Sequence, residues 1–353
     1  MTWLNGWVKR VKINIDNGDI DGTLSNFPIL IHLSTSSGHS SDDVSFVFDE
    51  LQNDANRKKI AVTTSDGLTQ CYVEIEKWDD ANEEAWLWVK IPSVSSSINT
   101  DLYLYYDKNK ADNTTYVGDT NSTPAENVWD DNFVFVSHMR DDPDTSSIRD
   151  STQYNNDGTK SGAGEPATTG GLIADAQDFD VDDYVSLGTP SNLDLTTKNY
   201  TIESLIYAET QTAAWPVIYI DGAWRLSFGI GVDSNTDKLE VWIDDTTAYA
   251  STSDVSFNQW SYVTLKYDGD YKFFQEGVSD GATTGDAYTI AAEKRIGDDL
   301  DANFLGNIDE IRISDIARSD AWIKASNESI KDHLLDFWNE EIIPNPMFFG
   351  ANF

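Results

Sequence analysis

Apolar residues alternating with a period of two, in short runs repeated along most of the chain, most constrain what this sequence can fold into. Phe27, Ile29, Ile31 and Leu33 share one face of FPILIHL, and YVEIEKW, AWLWVKIP and DLYLYYD repeat the pattern. Asn17-Gly18, with Ile13 and Ile15 before it and Ile20 after, is a hairpin signal. No helical period of comparable strength appears in this region, so residues 1–110 read as a small all-β domain. VFVSHM, TIESLIYAE, WRLSFGIGV, KLEVWID, WSYVTLKY, YKFFQEG and NIDEIRIS continue the alternation further on. Many short strands separated by turn residues predict a sandwich or jelly roll.

Between these regions the pattern dissolves into the polar run DKNKADNTTYVGDTNSTPAE, and residues 111–126 read as a linker. The second β domain occupies 127–326. The end of the chain differs. Ser319 is placed to cap a short helix, DAWIKAS, and Ile330, Leu334, Phe337 and Trp338 fall at helical spacing. Residues 327–353 thus read as a helix followed by an apolar tail, IIPNPMFFGANF, suited to docking on another protein.

One strand contains a conflict. In FLGNIDEIRIS, counting by twos puts Asp309, Ile311 and Ile313 on one face and Glu310 and Arg312 on the other. Asp309 would then enter a core. A carboxylate there needs a cation or several donors, because desolvating it alone costs several kcal/mol. The pattern suggests a structural metal ion.

Composition narrows the partners. The 353 residues suffice for two domains, and 61 acidic against 24 basic side chains give a formal charge of −37. Such a surface repels phosphate backbones and excludes nucleic acid as a partner. It suits surroundings rich in cations, such as a marine or high-salt medium, where self-repulsion is screened. Cys71 is the only cysteine, so no intrachain disulfide forms, and its alternating context reads as a small buried apolar residue. MTWLNGWVKRVKINI has no apolar stretch typical of an export signal, and no long apolar run follows, so no membrane insertion is expected.

WDDNFVFVSHM, DSTQYNNDGT, GLIADAQDFD, DYVSLG, LDLTTKNYTIESLIYAE, WSYVTLKYDG and FLGNIDEIRISDIARSDAWIKA, in this order, resemble a concanavalin A-like lectin/glucanase module of the laminin-G type. FPILIHL, SFVFDE, VEIEKWDD and AWLWVKIPSVSSSINTDLYLYYD resemble a small all-β domain of unknown function that often precedes such modules, although Asp107-Lys108 replaces its usual Gly-Asn pair. The resemblance implies an all-β protein: a small N-terminal β-sandwich, then a concanavalin A-like jelly roll, then a short helical or extended tail. It also implies a structural Ca2+ near Asp309, with Asp150 and Asn156 in the nearby early loop. Carboxylate and amide oxygens are what a hard cation takes. The competing reading of Asp150 and Asn156 is an Asx-turn, and of Asp309 a turn cap through backbone N–H groups.

Catalytic patterns are weak. Glycan hydrolysis on this fold needs paired carboxylates on one strand. Glu74-Ile75-Glu76 offers two but lies in the first domain, and Glu203 and Glu209 stand apart. His32, His39, His138 and His333 form no metal-ligand motif. Aromatic residues speak for binding instead, since flat rings stack on sugar C–H faces. Trp242 alternates against Leu239, Val241 and Ile243 and is the first candidate, followed by Trp215 and Tyr249. The expectation is a non-enzymatic virion surface protein, in capsid decoration or tail adhesion, present in multiple copies or as a homo-oligomer. Its partners would be a host or cell-surface glycan and, through the tail, other virion proteins. The alternatives are a secreted or cell-surface carbohydrate-binding protein of a marine or halophilic microbe and, behind it, a glycan hydrolase.

Overall fold

The computed structural model describes residues 2–162, 165–209, 217–222, 226–231, 237–244, 247–289, 292–297 and 303–343. It is built from antiparallel strands in two compact units, Met1–Gly118 with Asp332–Phe353, and Asp119–Lys331.

In the first unit, one sheet runs in the order Asp336–Ile342, Lys9–Ile15, Thr100–Tyr106, Ile60–Thr64, Gln70–Cys71. A second sheet includes Leu24–Leu33, Glu84–Val94 and Val73–Asp79 in that order. Alternation does its expected work: Val11, Ile13, Ile15, Phe27, Ile29 and Ile31 are all fully buried. Cys71 is buried, and burial pushes its thiol up to about 12, so it stays protonated and inert. Arg10 is also fully buried. Its guanidinium lies 3.8 Å from the Tyr103 ring centre and 4.2 Å from that of Trp3. The same group donates to Tyr105 Oη (2.9 Å) and the Thr2 carbonyl (3.0 Å), and Nε reaches Glu341 Oε2 at 2.8 Å.

Two expectations fail in this unit. Asn17-Gly18 does form a turn, with Asp16 Oδ1 accepting from the Gly18 N–H, but it closes no hairpin. The strands on either side enter different sheets, Lys9–Ile15 pairing with Thr100–Tyr106 and Leu24–Leu33 with Glu84–Val94. The second failure concerns the end of the chain. The helix begins as read, with Ser319 Oγ accepting from the Trp322 N–H, but spans only Asp320–Ile330. Asp336–Ile342 is a strand paired antiparallel with Lys9–Ile15. Ile330, Leu334 and Phe337 are buried without sharing one helix, because the ladder offered by Lys9–Ile15 overrides their spacing. The tail beyond residue 343 lies outside the described residues. The stretch read as linker carries a short strand, Val117–Asp119, and a helical turn, Thr123–Glu126.

The second unit is a sandwich of two large sheets. One runs Ser147–Ile148, Gly158–Ser161, Tyr184–Gly188, Lys294–Ile296, Val217–Asp221, Leu226–Ile230, Lys238–Ile243, Thr247–Asp254. The other runs Ala167–Gly170, Asp175–Phe179, Gly306–Ser314, Tyr200–Ala208, Trp260–Tyr267, Asp270–Gln275, Val278–Thr284, with Phe133–Ser137 also on Gly306–Ser314. Ile202, Ile206, Phe228, Val241, Val263, Leu265, Ile308, Ile311 and Ile313 meet in one core between them. This is the all-β architecture expected from the sequence.

Candidate ligand-binding and metal residues

Asp309 is fully buried, but by a route that simple alternation misses. Leu205 pairs with Glu310 and Ile206 with Ile308, so Asp309 is the extra residue of a β-bulge. On its other side, Gly306–Ser314 has two partial neighbours. Asp175–Phe179 pairs with it as far as Ile308, and Phe133–Ser137 from Ile311 onward. Asp309 stands between these pairings, and its Oδ2 accepts the Ile173 N–H at 2.7 Å. Gly171 makes room for it: a Cβ there would fall 2.5 Å from Asp309 Oδ2.

Asp150 is nearly fully buried, with both oxygens engaged. Oδ1 accepts from the N–H groups of Val136 (3.1 Å) and Thr152 (2.9 Å). Oδ2 accepts from Thr152 Oγ1 (2.9 Å) and the Asn156 N–H (2.8 Å). Burial outweighs these donors and pushes the carboxyl up to about 6. Asn156 Nδ2 donates to the Val134 carbonyl at 2.9 Å. This donor set does not fit a calcium ion. Four N–H and O–H groups take the acceptor positions of Asp150, and a backbone amide takes one oxygen of Asp309. Among the described residues, no three acidic, histidine or cysteine ligand atoms gather around Asp150 or Asp309. Both oxygens of Asp150 and Oδ2 of Asp309 thus serve as loop and turn acceptors.

The face of Gly306–Ser314 opposite the isoleucines carries a second set of buried charges. Glu310 Oε1 meets His138 Nδ1 at 2.6 Å, and its Oε2 accepts from Arg312 Nη2 at 2.9 Å. Burial opposes the Arg312 charge, but Glu310, Tyr262 and Glu203 together outweigh it and hold the pKa above the ordinary value. The Arg312 guanidinium also lies 5.3 Å from the Trp129 ring centre. Glu203, opposite Arg312 in the register, accepts from the Tyr262 hydroxyl. The Asp320–Ile330 helix is tied to this unit by Arg318. That guanidinium sits between the rings of Phe133 (4.3 Å) and Trp322 (4.2 Å) and forms a bidentate pair with Asp130 at 2.8 and 2.7 Å.

The aromatic candidates separate. Leu239, Val241 and Ile243 point into the core, and Trp242 is half-buried on the opposite face, across from Ser227 and Ala248. Tyr249 pairs with Val241 and so takes the inward face. Its ring stacks on Tyr271 at 5.0 Å and 19°, inside a ladder that continues through Tyr267 to Tyr200. The face of the ring stacked on Tyr271 is not open to a sugar, so packing accounts for that part of Tyr249. Trp215 lies outside the described residues.

Fold and buried polar framework together define a lectin-like jelly-roll sandwich. Residues 179–324 match the concanavalin A-like lectin/glucanases superfamily, and residues 56–157 match a domain of unknown function, DUF2341. The chain carries a concanavalin A-like module preceded by that domain, the arrangement its sequence resembles. No curated protein matches it. Among solved structures it is similar to domain 4 of AbnA, a GH43 extracellular arabinanase from Geobacillus stearothermophilus, solved in complex with arabinotriose. The identity is 22 %, over 54 % of this chain and 96 % of that domain, with a TM-score of 0.45. The binding domain of Paraclostridial Mosquitocidal Protein 1 is similar at 11 % identity over 56 % of this chain and 52 % of its own, TM-score 0.45. A botulinum neurotoxin type C structure, described with cell entry dependent on two ganglioside molecules, is similar at 11 % identity over 57 % and 52 %, TM-score 0.44. This chain spans about half the length of the two toxin chains.

Proposed function

We propose that this protein is a non-catalytic binding component of a virion surface, in capsid decoration or tail adhesion, whose sandwich holds glycans through Trp242. One observation carries the non-catalytic part. Three buried acids on adjacent strands of the sandwich, Glu203, Asp309 and Glu310, are each engaged by internal donors: the Tyr262 hydroxyl, the Ile173 N–H, and His138 with Arg312. Hydrolysis needs one carboxyl free to protonate the leaving oxygen and another open to the sugar or to water. These three serve the fold instead. A chain with a single cysteine and a formal charge of −37 suits assembly in a reducing cell followed by exposure outside it.

The test has two parts. A glycan array should show retention that falls at least tenfold in Trp242→Ala, and mass spectrometry of purified particles should find the chain at many copies. Release of reducing ends from a polysaccharide panel, lost on replacing one acid, would overturn the non-catalytic reading. Recovery from culture medium free of particles would favour a secreted carbohydrate-binding protein.

A further inference from the structure

A second aromatic site lies in the first unit, apart from every residue invoked for the sandwich. The strand Asp336–Ile342 is the edge of its sheet, and its ladder with Lys9–Ile15 is irregular. Glu340 pairs with Val11 and Phe337 with Ile13, so Trp338 and Asn339 together oppose Lys12 alone. A bulge of this kind re-aims side chains, and on an edge strand it aims them at solvent. Trp338 is accordingly 59 % exposed, whereas the next most exposed large aromatic among the described residues, Tyr154, is 39 % exposed.

Trp338 and Asn339 form one wall of an open cleft of about 490 Å³, and Asp42, Asp43, Phe46 and Phe337 complete it. That volume falls within the roughly 300–1,000 Å³ typical of small-ligand sites. Its floor is fixed from both sides. Asp42 Oδ2 accepts the Phe337 N–H at 3.0 Å, and Asp43 Oδ1 accepts the Ser45 N–H at 3.0 Å. Lys12 Nζ lies 4.3 Å from the Trp338 ring centre and is held there by Asp101 at 2.9 Å.

We propose that this cleft is a saccharide-binding site for neutral glycans, with Trp338 as the stacking platform and Asp42, Asp43 and Asn339 as hydrogen-bonding partners of sugar hydroxyls. The chemistry selects the class. An exposed indole offers the apolar face that a pyranose C–H surface covers, and carboxylates accept from hydroxyl groups. Two acids in the wall disfavour anionic sugars, and Lys12 over the ring disfavours cationic ones. The proposal does not depend on the sandwich binding anything, because it uses no residue of that unit.

Isothermal titration of the full chain with cellohexaose, mannohexaose, laminarihexaose and arabinohexaose tests it, with sialyllactose and a glucosamine hexamer as charged controls. At least one neutral oligosaccharide should bind. In a Trp242→Ala background, which removes the sandwich contact proposed above, binding should still be measurable; adding Trp338→Ala should weaken it at least tenfold, and adding Trp338→Phe should retain part of it. An unchanged melting curve for Trp338→Ala excludes a folding defect. The proposal is overturned if no neutral sugar binds, if a charged control binds best, or if affinity follows Trp242 and ignores Trp338.

Discussion

Two strands of this molecule, Gly306–Ser314 and Asp336–Ile342, each carry one residue more than the partner opposite, with opposite results. In the first, a strand with neighbours on both sides, the extra residue is Asp309, and it is fully buried. In the second, an edge strand, the bulge presents Trp338, which is largely exposed. Chemistry alone would place these side chains the other way round, the acid in water and the indole in the core. The difference teaches that a bulge assigns direction by its position in the sheet, and that the surroundings must then accommodate what it delivers. Inside, that means Gly171 standing aside and the Ile173 N–H supplying a donor. At the edge, a cleft of polar and aromatic walls suffices.

The comparison is broken most directly at Asp309. Asp309→Ala leaves the buried Ile173 N–H without its acceptor and opens a small void, so a loss of about 3 kcal/mol is expected. Hydrogen exchange over residues 171–179 and 306–314 should report it. If Asp309 acts as an acceptor for the Ile173 N–H and not as a metal ligand, the loss should be equal in calcium and in chelator; a loss confined to calcium-containing buffer would restore the metal reading. Gly171→Ala should cost somewhat less, about 2 kcal/mol, because its Cβ would crowd Asp309 Oδ2 at 2.5 Å and the Ile173 carbonyl at 2.6 Å. The same exchange measurement should find the same segments loosened.

Weaker effects are expected for Trp338 on the edge strand and for His32, which lies on Leu24–Leu33 and contacts Asp332 just before the edge strand begins. His32 Nδ1 lies 3.0 Å from Asp332 Oδ2 and Nε2 lies 3.2 Å from Glu84 Oε1. Burial lowers the His32 pKa, but its bonds to Asp332 and Glu84 outweigh burial and leave it raised. Its stabilisation is therefore full below the unfolded value of about 6.5 and is lost as pH rises through the folded one. His32→Asn should cost less than about 1 kcal/mol, most at pH 5.5–6 and least at pH 8.5, in melting curves taken across that range. A gap that widens with pH would contradict the charged-imidazole assignment. Trp338→Ala should be the mildest, within about 0.5 kcal/mol of the parent, because its ring is mostly in solvent. A larger loss would mean that Trp338 serves packing and that the two bulges differ less than described.

Much of the architecture was legible because strand alternation is a local signal. Val11, Ile13 and Ile15, or Leu239, Val241 and Ile243, lie on one buried face because period two allows little else. The burial of Asp309 could be read the same way, but not its cause, since a bulge is set by the register with Tyr200–Ala208. Partner choice was equally hidden. Asn17-Gly18 made its turn while the flanking strands took different sheets, and Asp336–Ile342 became a strand because Lys9–Ile15, far away in sequence, offered an open edge. Tyr249 shows the limit for sites. Its alternation with Val241 was a matter of pairing, and only pairing reveals that its ring stacks on Tyr271. Trp338 was passed over because helical spacing with Ile330 and Leu334 gave it an interior role.

Lys9–Ile15 lies between Thr100–Tyr106 and Asp336–Ile342 in one sheet, and Arg10 joins Thr2 to Glu341. During synthesis Lys9–Ile15 can pair early with Thr100–Tyr106, but its ladder with Asp336–Ile342 waits until more than three hundred further residues have been added, some tens of seconds at about 5–20 residues per second. The sandwich at Asp119–Lys331 emerges whole before that moment and can fold on its own schedule. The unit that holds Lys9–Ile15 is thus completed only after the sandwich lying between its two segments of chain has been made.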